Sequence, residues 1–234
     1  MNDIFAYDSS YYEPALFLSP AHLWILLCFV LFLILYYRWH ATPVVQCYGR
    51  WIILAILLVS ELSLLLWTLL ATTWDVRYHL PFQLCTISLY VCMLMLFQKS
   101  RGLFEIVYFF GLAGALQAIL TPDLFYTFPH YRFLHFFIAH FAIITAILHM
   151  VWVERFTIRA VAIIKSFLVL NGFALVAFLV NLWTGANYMF LARKPVNGSI
   201  LDFLAPYPWY ILQLELIALL MFGLLYLPFL KKRG

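Results

Sequence analysis

Charge is what this sequence has least of. Only 10% of its 234 residues are Asp, Glu, Lys or Arg, against roughly 25% in soluble domains. With 66% hydrophobic residues and a mean hydropathy of +0.97, that shortage leaves no room for a separate soluble domain and describes a polytopic membrane protein. No basic stripe or recognition motif accompanies the net charge of +4, so nucleic acid is not an expected partner. The four cysteines, Cys28, Cys47, Cys85 and Cys92, form no CxxC pair, which removes both a disulfide framework and a zinc knuckle. Cys47 reads as part of a short loop and the others as members of apolar runs. The N-terminus carries Asp3, Asp8 and Glu13 and lacks the basic region and small-residue cleavage site of a signal peptide. The first apolar run therefore reads as a retained span.

Further absences narrow the chemistry. No GxSxG elbow is present for a serine hydrolase. A retinal-type pigment needs a lysine inside the seventh span, and residues 207–230 contain none. Proton-coupled transporters often have Gly- or Pro-broken helices in paired halves, and no internal repeat is visible. A helical metal pair wants i, i+4 spacing. His130, His135 and His140 are five apart, so at about 100° per residue successive ones point roughly 140° away from each other. No metal and no other cofactor is expected.

Long apolar runs are plentiful. A span takes about 20 apolar residues, and seven candidates fall at roughly 18–38, 49–71, 79–98, 103–121, 131–153, 160–184 and 207–230. They predict an all-α, seven-helix bundle forming a single transmembrane domain over residues 1–234. The basic residues set its orientation. With the N-terminus outside, Arg38, Arg50, Lys99, Arg101, Arg155, Arg159, Lys165, Lys231, Lys232 and Arg233 fall on the cytoplasmic side. Arg77, Arg132, Arg193 and Lys194 fall outside. The positive-inside rule thus gives N-out and C-in. The outer segments are also the richer ones: HLPFQLC, TPDLFYTFPHYRF and NYMFLARKPVNGSILDFLAPYPWY. A long loop in a compact domain is more often functional or a lid.

Ionisable groups cost roughly 2.5–3.5 kcal/mol each at the bilayer centre, so each needs a partner or a task. Glu61, Gln83, Gln117, His135, His140, His149, Asn171, Asn181, Gln213 and Glu215 fall within or beside the spans, mostly in their outer halves. At 1.5 Å per residue, Cys85 lies ~9 Å in, His140 ~13 Å, and Gln213 and Glu215 ~9–12 Å. Helices three, five and seven can therefore present Cys85, His140 and Gln213 or Glu215 at one depth. Each has a plainer reading. Cys85, Ser88 and Cys92 follow i, i+3, i+7 spacing, and small residues on one face let membrane helices approach closely. On the residues alone, packing outranks nucleophile for Cys85. His140 reads equally as interhelical glue or as a functional group, and Gln83, Asn181 and Gln213 read first as glue. A thiol with a histidine is nonetheless the minimal nucleophile–base arrangement.

Four stretches carry a family resemblance: HLPFQLC at the third span, TPD after the fourth, the histidine of FFIAH in the fifth, and NYMFL…KP…S…LD.L.P.PWY before the seventh. Together they resemble the bacterial YwaF family of integral membrane proteins, over nearly the whole chain from about residue 50. That family is similar to the eukaryotic transmembrane protein 164 group, described as lipid acyltransferases that work through a cysteine. It is more distantly similar to the androgen-induced-gene membrane hydrolases, which use a threonine–histidine pair. The resemblance implies a bacterial cytoplasmic-membrane protein with Cys85 as nucleophile and His140 as base, acting on a membrane phospholipid or fatty acyl ester. Thr86 adjoins Cys85 and keeps the threonine alternative open; His135 is the weaker base because it points to a different face. His79 belongs to the same polar stretch.

On that reading HLPFQLC sets a thiol just below the outer interface, with Pro81 in the first helical turn. Gln83, Asn187, Asn181 and Gln213 are the amides at a depth suited to an oxyanion. Asp202 or Asp123 orients a histidine or binds a headgroup, with Glu215 in support, and Lys194 and Arg193 hold a lipid phosphate. Two other classes use the same residues. A small-solute or proton-coupled transporter makes Glu61 and Glu215 matter more than Cys85, and a non-enzymatic lipid-binding scaffold tolerates loss of both Cys85 and His140.

Overall fold

The computed structural model describes residues 3–13, 16–195 and 200–230. Within them the secondary structure is helical: α1 Pro20–Trp39, α2 Pro43–Ala71, α3 Leu84–Gln98, α4 Arg101–Leu120, α5 Tyr131–Trp152, α6 Val161–Thr184 and α7 Trp209–Leu230. All of these except α3 are long and apolar enough to cross a membrane; α3 is a shorter apolar helix of 15 residues. The protein is therefore a multi-pass membrane protein. The topology residues Lys231, Lys232 and Arg233 lie outside the described residues, as does Ser199 of the fourth motif.

Local chemistry sets most helix ends. Pro20 and Pro43 open α1 and α2, where a missing N–H costs nothing. Ser19 and Ser100 cap α1 and α4 by accepting from the N–H of His22 and Leu103. Lys99 and Gly185, both left-handed (φ 49° and 73°), end α3 and α6. Two expectations are corrected here. Helix α2 begins six residues before position 49, so Cys47 is an exposed helical residue and not part of a loop. Helix α3 begins at Leu84 and not at His79, so Pro81 precedes the helix and residues 79–83 descend as irregular backbone. The apolar run there is continuous, which is why hydropathy alone reads it as one span.

Helices α4 and α5 form the centre, each with more than half of its apolar window buried, whereas α1, α2, α6 and α7 bury under a quarter of theirs. The exposed faces of those four carry leucine, isoleucine, valine and phenylalanine, as expected of surfaces that meet hydrocarbon. Small residues allow the central approach: a Cβ on Gly114 of α4 would stand 3.1 Å from Leu84 Cδ2 at the start of α3. At one end of the bundle Lys99 pairs with Glu154 at 2.7 Å and Lys165 with Glu105 at 3.3 Å. At the other end the loops 72–83 and 121–130, with residues 185–195 and 200–208, gather around the first turns of α3 and α5.

The segment 3–13 folds back over that second end. Glu13 N–H donates to Phe125 O and Thr127 N–H to Tyr11 O, a short antiparallel bridge. Trp67 Nε1 donates to Phe5 O at 2.9 Å and Tyr126 Oη to Tyr7 O at 2.8 Å. The pin beneath it is His130, which caps α5: Nδ1 accepts from Arg132 N–H (3.1 Å) and Nε2 donates to Ala6 O (3.0 Å). The cap bond from Arg132 N–H requires a neutral ring, whereas the bond to Ala6 O persists in the imidazolium. Burial, and to a smaller extent the Arg132 charge, hold its pKa below the ordinary 6.5. Because the folded pKa lies below the unfolded one, the folded form binds fewer protons and gains stability as pH rises. Acidification below about 6.5 is therefore expected to loosen the first turn of α5, where the cap is lost, seen as faster amide exchange there than in α4. Unchanged protection between neutral and mildly acidic pH would contradict this role for His130.

Candidate active site

A cavity of about 1570 Å³ runs from the loop end into the bundle. It exceeds the roughly 300–1,000 Å³ usual for drug-sized ligands. Its deep walls are apolar, with Leu170, Ala174, Ile217, Ala218, Met221 and Phe222 from α6 and α7. Its shallow walls are polar: His79, Gln83, Cys85, Thr86, Asp123, Arg132, His135 and His140. Tyr7 and Asp8 of the folded-back segment line its mouth.

Cys85 sits at the second position of α3, immediately after the irregular stretch. The N–H groups of Leu84, Cys85 and Thr86 lack helical acceptors there, and the positive end of the helix dipole favours negative charge. Position 85 is half-buried and on the cavity wall, whereas Cys92, two turns deeper, is fully enclosed.

His140 is 4% exposed, and its Nδ1 donates to the carbonyl of Phe136 at 2.6 Å. A proton on Nδ1 leaves Nε2 as a lone pair. That Nε2 is buried and has no hydrogen-bond partner among the described residues. Buried polar atoms are seldom left this way, and this one belongs to a residue on the cavity wall. His135 differs: Nε2 donates to Ser60 O at 3.0 Å and Nδ1 lies 3.3 Å from Arg132 Nη1, so both ring nitrogens are taken.

The cavity gathers some of the sequence-predicted residues and leaves others aside. Cys85, Thr86, Gln83, His79, Asp123, His135, His140 and Glu215 all line it. Gln213, Asn181, Asn187, Arg193, Lys194 and Asp202 do not. Gln213 Oε1 accepts from Ala205 N–H at 2.7 Å. Lys194 donates to Leu204 O at 2.7 Å, and Arg193 and Asp202 are exposed. Asn187 binds Ala192 and Arg193 backbone with both ends of its amide.

Asn181 forms a reciprocal pair with buried Tyr188, Nδ2 donating to its carbonyl (3.0 Å) and the side-chain oxygen accepting from its N–H (2.8 Å). Tyr188 Oη then donates to Val76 O (2.6 Å) and accepts from Leu80 N–H (2.9 Å), and Met189 N–H donates to Gln83 Oε1 (3.1 Å). The NYMF stretch is thus a clasp between the end of α6 and the HLPFQLC segment. Its backbone is unusual, with Met189 and Phe190 at φ 56° and 55°, a conformation disfavoured without glycine. Asn181→Ala strands two buried backbone groups at ~1–3 kcal/mol each. The expected loss is about 2–6 kcal/mol, visible as a lowered unfolding midpoint in detergent. A midpoint within a degree or so of wild type would show that the clasp carries little.

Electrostatics near the mouth are local. Hydrogen bonds from the Arg77 side chain hold Asp75 down to about 2, so the loop leading to His79 keeps its ion pair across the physiological range.

A family model covers residues 17–226, nearly the whole chain. The chain belongs to the TMEM164 family. No curated protein and no solved structure matches it. Membership accounts for the multi-pass architecture, and the two cavity residues Cys85 and His140 lie well inside the matched TMEM164 region.

Proposed function

We propose that the protein moves an acyl group from an ester lipid, with Cys85 as nucleophile and His140 as base. One observation carries this reading: the partnerless Nε2 lone pair of His140, buried on the wall of the same cavity as the Cys85 thiol. In the proposed sequence Nε2 takes the thiol proton as sulfur bonds to the ester carbonyl carbon. The ester C–O bond then breaks, and Nε2–H returns the proton to the departing alcohol. The acyl thioester is next attacked by a second lipid hydroxyl or by water, deprotonated by the same nitrogen, and the thiol is restored. The Phe136 carbonyl holds the tautomer that this cycle needs. Gln83, whose oxygen is occupied by Met189 N–H, retains its NH₂ as a donor for the oxyanion beside the first-turn N–H groups of α3. The apolar depth suits an acyl chain.

The similarity of the YwaF family to the transmembrane protein 164 lipid acyltransferases, and more distantly to the androgen-induced-gene hydrolases, supports acyl chemistry. The resemblance to the YwaF family also supports a bacterial cytoplasmic membrane as the site. The basic end holding Lys99, Arg101, Arg155, Arg159 and Lys165 supports N-out, C-in, which puts the cavity mouth at the outer leaflet.

A transport reading has one observation in its favour: Glu61 and Glu215 both line the cavity, one accepting from Tyr90 Oη and the other from Asn171. Purified protein given a phospholipid with a labelled acyl chain and a lysolipid acceptor separates the two. The acyl reading expects labelled diacyl product or free fatty acid from wild type and from Glu61→Gln and Glu215→Gln. No released or transferred label from folded wild-type protein would defeat it.

A further inference from the structure

By sequence Arg132 is a topology charge, yet it lines the cavity that holds Cys85 and His140. It stands at the second position of α5, next to the positive end of that helix dipole, where a cation is unfavourable. Among the described residues no carboxylate makes an ion pair with it. Five acids line the same walls: Asp75 is held by Arg77, Glu61 by Tyr90 and Glu215 by Asn171, while Asp8 lies at the mouth and Asp123 in the 121–130 loop. What touches the guanidinium is neutral. Nη1 lies 3.3 Å from His135 Nδ1, and the carbon of the guanidinium lies 5.5 Å from the Trp67 ring centroid. Because His135 Nε2 is committed to Ser60 O, its Nδ1 is the acceptor, and the ring steers Arg132 without neutralising it. A guanidinium has five N–H donors in a planar fork. Only one is accounted for here. An uncompensated cation in a semi-enclosed cavity is costly unless the working state brings an anion to it.

We infer that Arg132 is the anion-binding residue of this cavity, taking the phosphate of a lipid headgroup in a forked contact and thereby selecting esters that carry a phosphate beside them. The inference rests on the acyl-transfer reading for the meaning of the neighbouring thiol. Its geometry follows the order of the lipid. Arg132 lies eight residues, about 12 Å along the axis, nearer the mouth than His140 on the same helix. The phosphate then sits at the mouth, the ester near Cys85 and His140, and the chain against α6 and α7. A planar bidentate site suits phosphate and suits arginine better than lysine.

The test uses a ligand with no ester to cleave, so its failure is separate from any failure of the thiol chemistry. Equilibrium binding of a dialkyl ether phosphatidylcholine and of a dialkylglycerol is measured in neutral, phosphate-free detergent. Wild type is expected to prefer the phospholipid. Arg132→Gln should weaken phospholipid binding by at least about tenfold, Arg132→Lys should recover part of it, and dialkylglycerol binding should not distinguish them. Millimolar inorganic phosphate should fail to displace the lipid. Equal phospholipid affinity in wild type and Arg132→Gln overturns the inference, as does displacement by inorganic phosphate alone. If Arg132→Gln does not fold, the wild-type preference decides: affinities within about twofold for the two ether lipids overturn the assignment just as firmly.

Discussion

Cys85→Ala is expected to drop acyl transfer to background, a loss of at least about 10³-fold, because removing a covalent nucleophile leaves only binding and oxyanion stabilisation. Cys85 lines the cavity from the second position of α3, so the truncation deletes one sulfur from its wall and leaves the helix packing against Gly114 intact. The variant should therefore fold and elute as wild type. Its neighbour supplies the control for identity of the nucleophile. Thr86 also lines the cavity, and if a threonine were the attacking group, Thr86→Val would abolish turnover and Cys85→Ala would not. Turnover by purified, folded Cys85→Ala above one tenth of wild type would remove the thiol from the mechanism.

His140→Gln carries the second large effect, about 10²–10⁴-fold, the range for a general base. Glutamine keeps a polar side chain of similar reach but offers no basic nitrogen. The two variants are expected to differ in kind as well as in size. Without Cys85 no covalent intermediate forms; without His140 it forms slowly and also decays slowly, because the same nitrogen activates the acceptor. His135→Gln should cost far less, since both His135 nitrogens are occupied by Ser60 and Arg132. A larger loss at His135 than at His140 would assign the base to the wrong ring.

Much of the architecture was legible because hydropathy reports burial in lipid directly. Five of the seven apolar runs correspond to helices whose ends differ by at most two residues, and α2 starts six residues early because the run extends back to Pro43. The third run was informative. HLPFQL is apolar enough to pass as helix, yet the clasp of Tyr188 with Val76 and Leu80 holds residues 79–83 as irregular backbone and starts α3 just before the thiol. That arrangement depends on partners more than a hundred residues away, which no local pattern reports. The same long-range bonding hid the role of the amides. Asn181 and Asn187 read as oxyanion donors from their depth, but they spend their hydrogen bonds shaping the NYMF loop. Cys85 and His140 were legible through the family resemblance more than through spacing. Arg132 was not, because one arginine just inside a span boundary looks like any other interfacial charge. Its lack of a carboxylate ion pair among the described residues is a property of the fold. The folded-back segment 3–13 was equally silent in sequence, since its contacts are mostly to backbone carbonyls.

The central claim is that an acyl group rests on Cys85, and intact-mass spectrometry tests it most directly. Wild-type protein incubated with phospholipid should gain one acyl mass, removable by neutral hydroxylamine as a thioester is. The adduct should be absent in Cys85→Ala and should decay more slowly in His140→Gln. Folded wild-type protein that shows no adduct with any ester lipid, or an adduct that persists in Cys85→Ala, would contradict the account.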